Sequence, residues 1–282
     1  MNILYAIVFG IVEGITEWLP VSSTGHLILA QAFMQFQNLS DGFWEVFEVV
    51  IQLGAILAVV LLYFKKIWPF KLKEKKRGNK KLLIRKDVIN LWIKIIISCL
   101  PAILIVLLKI DEFAEQYFYN PTSIAIMLIL VGIAFIIVER RNKHTKKYRV
   151  NSIADITYKD AVIIGLFQLI AAIFPGTSRS GATIIGALLI GVSRTVSAEY
   201  TFYLAIPAMF GASLLKLVKY GLGFSGMELV VLLLGTFVAF AVSLFVIKFL
   251  MNYIKKHDFE VFGWYRIGIG IIVLALIAFN LI

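Results

Sequence analysis

Six stretches of this chain are too long and too apolar for a soluble core: residues 43–64, 88–108, 122–138, 200–217, 227–250 and 263–282. A helix needs roughly 20 mostly apolar residues to cross a hydrocarbon layer about 30 Å thick, so each is expected to be one crossing. Composition agrees, with 60% of the 282 residues hydrophobic and 16% charged, against about 45–50% and about 25% in soluble domains. In water that surplus would expose large apolar patches. The formal charge of +11 raises nucleic acid as a partner. Its placement excludes that reading, because Lys and Arg bunch in short loops between apolar runs.

One cysteine, Cys99, excludes an internal disulfide and a cysteine metal site. It lies in an apolar run and is expected to pack as a small hydrophobe. No Lys or Arg precedes Lys65, so the basic n-region of a signal peptide is missing. The chain is expected to enter the membrane through its own helices.

Two further apolar segments, 2–34 and 161–192, are broken near their middles. The interruptions are Pro20-Val21-Ser22-Ser23-Thr24-Gly25-His26 and Pro175-Gly176-Thr177-Ser178-Arg179-Ser180-Gly181. Broken backbone at membrane depth is tolerated only where protein buries it or a wet cavity adjoins it. Both segments are therefore expected to be re-entrant helical hairpins. They also resemble each other: a shift of 155 aligns Gly10 with Gly165, Glu13 with Gln168, Ile15 with Ile170, Pro20 with Pro175, Ser22 with Thr177 and Ser23 with Ser178. Each is followed by three spans. The expected fold is an all-α polytopic membrane protein, one membrane domain over 1–282, built as a duplication with repeat 1 about 1–140 and repeat 2 about 160–282.

Charge sets the orientation. Loop 65–86 carries eleven basic residues and loop 139–149 six, whereas loop 109–121 has one lysine against Asp111, Glu112 and Glu115. The positive-inside rule makes the first two cytoplasmic and the third external. Both termini are then outside, the first hairpin dips in from outside and the second from the cytoplasm. That is an inverted-topology repeat, whose broken helices meet near the midplane. Lys216 and Lys219 fall on the expected outer side, against the trend.

Glu13 and Glu17 are four apart and share one helix face. A carboxylate at this depth is costly and is usually functional or paired; the plainer reading is a pair reaching water at the boundary. Ser22 and Ser23 are either helix caps or, for Ser23, a nucleophile. His26 is either an interfacial hydrogen-bonding histidine or an acid/base group beside them. In the second tip, Gly176 and Gly181 permit close backbone approach, and Ser178, Ser180 and Thr183 offer hydroxyls. A helix starting near Ser180 presents free amides. Arg179 adds a planar cation suited to phosphate oxygens; its plainer partner is Glu13 or Glu17. No phosphate-binding G-x-x-x-x-G-K-[ST] loop occurs, and no cysteine nucleophile lies near Arg179.

At these residues a resemblance becomes specific. Glu13-Gly14-Ile15-Thr16-Glu17-Trp18-Leu19-Pro20-Val21-Ser22-Ser23-Thr24-Gly25-His26-Leu27 and Pro175-Gly176-Thr177-Ser178-Arg179-Ser180-Gly181-Ala182-Thr183 resemble the two signature motifs of the undecaprenyl-diphosphate phosphatase family, linked to bacitracin resistance. Gln52-Leu53-Gly54-Ala55-Ile56-Leu57 and Gly191-Val192-Ser193-Arg194 resemble further family segments, and the similarity runs essentially end to end. The resemblance implies hydrolysis of undecaprenyl pyrophosphate to undecaprenyl phosphate and inorganic phosphate, recycling the lipid carrier of cell-wall synthesis. It also implies a divalent cation, Mg²⁺ or Ca²⁺, and a site open to the outer face of the bacterial cytoplasmic membrane. It leaves a homodimer open.

Joined to the residues themselves, it gives two mechanisms. In one, Ser23 attacks phosphorus while Glu17 or His26 takes its proton, with Arg179, Ser178, Ser180, Thr183, Gly176 and Ser22 holding the pyrophosphate. In the other, Glu13 and Glu17 hold the cation and water attacks directly. The rival from another class is a lipid flippase or secondary transporter, since this architecture is also theirs. A transporter needs the cation of Arg179 but no nucleophile and base. The orientation has its own test. In a Cys99→Ala background, Lys75→Cys is expected to stay unlabelled by an impermeant thiol reagent added to intact cells and to react once the membrane is opened; labelling from outside overturns it.

Overall fold

A computed structural model of the chain describes residues 1–74, 80–143, 147–221 and 223–282. Lys75, Lys76 and Arg77 of the first basic loop and Lys146 of the second lie outside the described residues. In chain order the elements are α1 (Asn2–Thr16), α2 (Ser23–Phe33), α3 (Phe43–Ile67), β1 (Phe70–Glu74), β2 (Lys80–Ile84), α4 (Lys86–Leu107), α5 (Ile110–Phe118) and α6 (Pro121–Lys143). After a 3₁₀ turn (Ile153–Asp155) come α7 (Tyr158–Ile173), α8 (Arg179–Leu189), α9 (Arg194–Tyr220), α10 (Gly226–Tyr253) and α11 (Glu260–Ala278).

Helices α3, α4, α6, α9, α10 and α11 are long and apolar enough to cross a membrane. They coincide with the six predicted spans, so the chain is a helical, multi-pass membrane protein. The ends follow local chemistry. Lys65 and Lys66 occupy the last turn of α3, and Arg140, Arg141 and Lys143 that of α6, where cations complement the helix dipole. Thr157 with Asp160 and Ser225 with Glu228 form reciprocal capping boxes at the starts of α7 and α10.

Two segments expected to be loops are ordered. Within 65–86, β1 and β2 pair antiparallel, with Phe70 opposite Ile84 and Glu74 opposite Lys80. Phe70 and Leu72 alternate with Lys71 and Lys73, a period of two that suits a strand and that the count of lysines conceals. Within 109–121, α5 forms because it has something to pack on: Ala114 is buried, and the Phe118 ring lies 4.9 Å from that of Phe174.

The two broken segments are α1–α2 and α7–α8. Their first arms pack in matching ways, α1 on α10 and α7 on α4. A Cβ on Gly10 would sit 2.6 Å from the Gly235 carbonyl oxygen, and one on Gly165 2.6 Å from that of Ser98. Gly10 and Gly165 are the positions the 155-residue shift pairs. Helices α6 and α11 meet through a reciprocal contact. A Cβ on Gly132 would meet the Gly263 oxygen at 2.7 Å and Ile267, and a Cβ on Gly263 the Gly132 oxygen at 2.7 Å and Ile136.

That contact makes a stability prediction. Gly263→Ala forces α6 and α11 apart and is expected to destabilise by about 1–3 kcal/mol, read as an earlier loss of monodisperse protein on heating in detergent. Gly211→Ala, with no atom within 4 Å of the added carbon, is expected to cost nothing measurable. Equal behaviour of the two variants would contradict the close packing.

Candidate active site

Each break ends in a serine that turns the chain. Ser22 (φ 76°) precedes α2 and accepts a hydrogen bond from the Gly25 amide at 3.3 Å; Ser178 (φ 70°) precedes α8 and accepts from the Gly181 amide at 3.1 Å. Both hold a left-handed backbone that non-glycine residues seldom adopt. The tips therefore share the pattern Ser-x-x-Gly, which pairs Ser22 with Ser178 and Ser23 with Arg179. The 155-residue shift paired Ser22 with Thr177 instead. The second tip has one more residue between its proline and its cap, and the cap, not the proline, is what the helix start requires.

Ser23 and Arg179 are thus both first residues of their helices, and one carboxylate joins them. Glu17 Oε2 accepts from Ser23 Oγ at 2.7 Å, and Glu17 Oε1 accepts from Arg179 Nη2 at 2.7 Å. Glu17 and Ser23 are buried. Arg179 is steadied from α9, donating through Nη1 to the Thr201 carbonyl at 3.2 Å and lying 3.2 Å from Met209 Sδ. Ser180 Oγ donates to the Glu17 carbonyl at 3.2 Å and sits 3.0 Å from Ser178 Oγ. A cavity of about 280 Å³ opens beside this group. Glu17, Ser23, Thr24, Gly176, Ser178 and Arg179 line it with Gln52 and Gln168, and alanines of α4, α7 and α9 form much of its wall. Two helix N-termini reach one cavity, an arrangement that favours an anion.

The other expected site residues stand further off. Thr183 Oγ1 turns to Thr201 Oγ1 at 2.9 Å and to the Arg179 carbonyl at 2.9 Å, so it braces Arg179 from behind. The Ser22 hydroxyl is spent on its cap. His26 is turned away from Ser23: one ring nitrogen lies 2.7 Å from the Ser22 carbonyl oxygen, the other 2.8 Å from the Tyr265 hydroxyl. Its ring is parallel to that of Tyr265 at 5.6 Å. Glu13, one turn before Glu17, is fully buried, and neither carboxylate oxygen has a partner. Gln168, its counterpart under the 155-residue shift, likewise has an unpartnered buried oxygen. Among the described residues no group of three His, Cys, Asp or Glu side chains gathers. Glu13 and Glu17 supply the carboxylate oxygens, a donor type that suits a hard divalent cation.

Sequence reasoning missed Arg266. It is wholly buried in α11 and donates to the Pro20 carbonyl at 3.0 Å, the Gly176 carbonyl at 2.7 Å and the Thr177 carbonyl at 2.9 Å. One guanidinium thereby ties the two tips together through carbonyls their broken helices leave free. The signal was available, because a lone arginine within an apolar span is a functional candidate by default. Arg266→Met leaves three buried carbonyls without donors. It is expected to lower stability by about 3 kcal/mol or more, measured as the unfolding midpoint in detergent; an unchanged midpoint would show that this tether does not hold the tips.

Comparison with known proteins shows the family. The chain is 60% identical to undecaprenyl-diphosphatase 1 of Clostridium acetobutylicum over 274 residues, 97% of either chain. It is 54% identical to an undecaprenyl-diphosphatase of Enterococcus faecalis over 278 residues, 99% of this chain and 98% of the relative. With an undecaprenyl-diphosphatase of Streptococcus mutans the identity is 52% over 276 residues, 97% of this chain and 95% of the relative. The family described as bacitracin resistance protein BacA matches residues 6–272, a span that takes in both tips and Arg266, and the chain belongs to that family.

Proposed function

We propose that the carboxylate shared by Ser23 and Arg179 is the working centre of an undecaprenyl-pyrophosphate phosphatase. The enzyme is a multi-pass protein of the bacterial membrane. It hydrolyses undecaprenyl pyrophosphate to undecaprenyl phosphate and inorganic phosphate, recycles the lipid carrier for cell-wall synthesis and confers bacitracin resistance. The observation that carries the residue assignment is Glu17, bonded through one oxygen to a hydroxyl and through the other to a guanidinium.

In the mechanism this favours, the pyrophosphate enters the cavity and takes over Arg179 from Glu17. The guanidinium, the amides at the starts of α2 and α8, and Ser178 and Ser180 then face the phosphate oxygens and stabilise the charge that builds up on them. Glu17, released from Arg179, accepts the Ser23 proton as Ser23 Oγ bonds to the terminal phosphorus. Glu17 passes that proton to the bridging oxygen as its bond to the phosphorus breaks, and undecaprenyl phosphate leaves. Water, deprotonated by Glu17, then cleaves the phosphoserine, returning the proton to Ser23 and releasing inorganic phosphate. His26, occupied by Ser22 and Tyr265, orients the first tip. A divalent cation, Mg²⁺ or Ca²⁺, fits Glu13 and Glu17, and when bound it would neutralise phosphate charge.

The repeat architecture supports this placement. Exchanged packing of α1 on α10 and α7 on α4, with the reciprocal contact of α6 and α11, fits two inverted halves whose re-entrant hairpins, α1–α2 and α7–α8, meet inside the membrane. Repeat 1 is then about 1–140 and repeat 2 about 160–282 of a single membrane domain. Basic residues closing α3 and α6 favour a cytoplasmic side there, with both termini and the cavity mouth outside. A flippase could share the architecture, but transport alone has no use for the Ser23–Glu17 hydrogen bond.

Ser23→Ala separates the covalent route from direct attack by water. The variant is expected to lose essentially all phosphate release, and wild type quenched during turnover of substrate labelled at its terminal phosphate is expected to yield phosphoserine at position 23 by mass spectrometry. Ser22→Ala, which loses only a cap worth about 1 kcal/mol, is expected to retain more activity. Retention of more than roughly a tenth of wild-type turnover by Ser23→Ala, a barrier change of only about 1.4 kcal/mol, would overturn the covalent route.

A further inference from the structure

Three of the helices that wall the catalytic cavity enclose a second one at their other end. Its volume is about 500 Å³, and it is bounded by the end of α3, the first turns of α4 and α9, and the segment Asn151–Ala154. On α3 the two cavities are marked by Gln52 and Lys66, some fourteen residues or roughly 21 Å apart along the axis. Buried Ala55, Ala58, Val59 and Phe202 belong to the core between them.

Three cations, Lys66, Arg85 and Lys94, line this second cavity against two carboxylates, Asp87 and Glu199, which leaves one positive charge in excess. Two of the three are paired, Lys66 with Glu199 at 2.7 Å and Arg85 with Asp87 at 3.0 Å. Lys94 is not. It is only 6% exposed, and among the described residues its ammonium meets the Tyr158 ring at 5.8 Å and no hydrogen-bond acceptor. Asp155 and Asp160 act on it only through space, and Asp160 is engaged by Arg149 and Thr157. The open volume that its ammonium borders is where an anionic acceptor fits.

We propose that this cavity is an anion site for a phosphate group, with Lys94 as its central ligand. A tetrahedral phosphate can use the point charges of the two lysines, the planar fork of Arg85 and the neutral donors of Asn151, Ser152 and Thr195 together. The phosphate is either inorganic phosphate or the headgroup of a membrane lipid. The cavity opens at the end of the bundle that carries the β1–β2 hairpin, where stacked Phe64 and Trp68 mark an interface that lipid headgroups occupy. Nothing in this inference depends on the chemistry assigned to Ser23.

The test uses the full chain carrying Arg179→Met, which blinds the catalytic cavity. In one arm the protein in detergent is titrated with inorganic phosphate and followed by phosphorus NMR line broadening. In the other, the protein in nanodiscs of phosphatidylcholine with phosphatidic acid is examined by native mass spectrometry for retained phosphatidic acid. Saturable binding of at least one probe is expected, weakened about tenfold or more by Lys94→Met and preserved by Lys94→Arg. Binding in the first arm alone assigns free phosphate, and in the second alone a lipid headgroup. Should Lys94→Met fail to fold, Thr195→Val, which keeps the ammonium, is expected to weaken binding several-fold. Binding of neither probe, or binding indifferent to the Lys94 and Thr195 changes, overturns the site.

Discussion

Two helices are broken inside a low-dielectric medium, and the rest of the structure depends on how their freed backbone groups are satisfied. Ser22 and Ser178 each turn back to cap the helix they begin, which accounts for amides. The carbonyls fall to Arg266, which donates to Pro20, Gly176 and Thr177 at once. An arginine this deep would normally demand an anion. Here three carbonyl dipoles take that part, and the cost of burying the charge is offset by joining the two tips.

Once the tips are joined, the helix starts that follow them are held together. Ser23 and Arg179 then approach the same carboxylate from the two broken segments, and Glu17 is shared between a hydroxyl and a guanidinium. The arrangement stores a competition. Glu17 neutralises Arg179, and in the proposed mechanism a pyrophosphate that claims Arg179 leaves Glu17 free to accept a proton. On that mechanism one ion pair serves both the resting fold and the reaction, and a buried pair is by itself a weak source of net stability.

Close packing supplies the rigidity this requires. The glycines that let α1 approach α10, α7 approach α4 and α6 approach α11 bring backbones together where lipid gives no hydrophobic incentive, so van der Waals contact does the work. Helix α9 links the parts: its Thr201 and Met209 hold Arg179, while Glu199, on the same helix, pairs with Lys66 at the second cavity.

The sequence by itself determined the six spans, the two breaks between Pro20 and His26 and between Pro175 and Gly181, and the residue types at the tips, because hydrophobic length and helix-breaking residues are local properties. It also paired Gly10 with Gly165, both of which stand at close helix contacts. It left open whether Glu13 or Glu17 meets Arg179, and it offered His26 as a base when the fold commits that ring to Ser22 and Tyr265. It paired Ser22 with Thr177 because proline positions are visible in a sequence and cap geometry is not. Only the tertiary structure decided that Glu17 bridges Ser23 and Arg179, that Arg266 ties the tips and that Lys94 shares a cavity with Lys66 and Thr195. Each of these joins residues from distant parts of the chain, and a side chain's partner is set by where the helices pack, which no local pattern records.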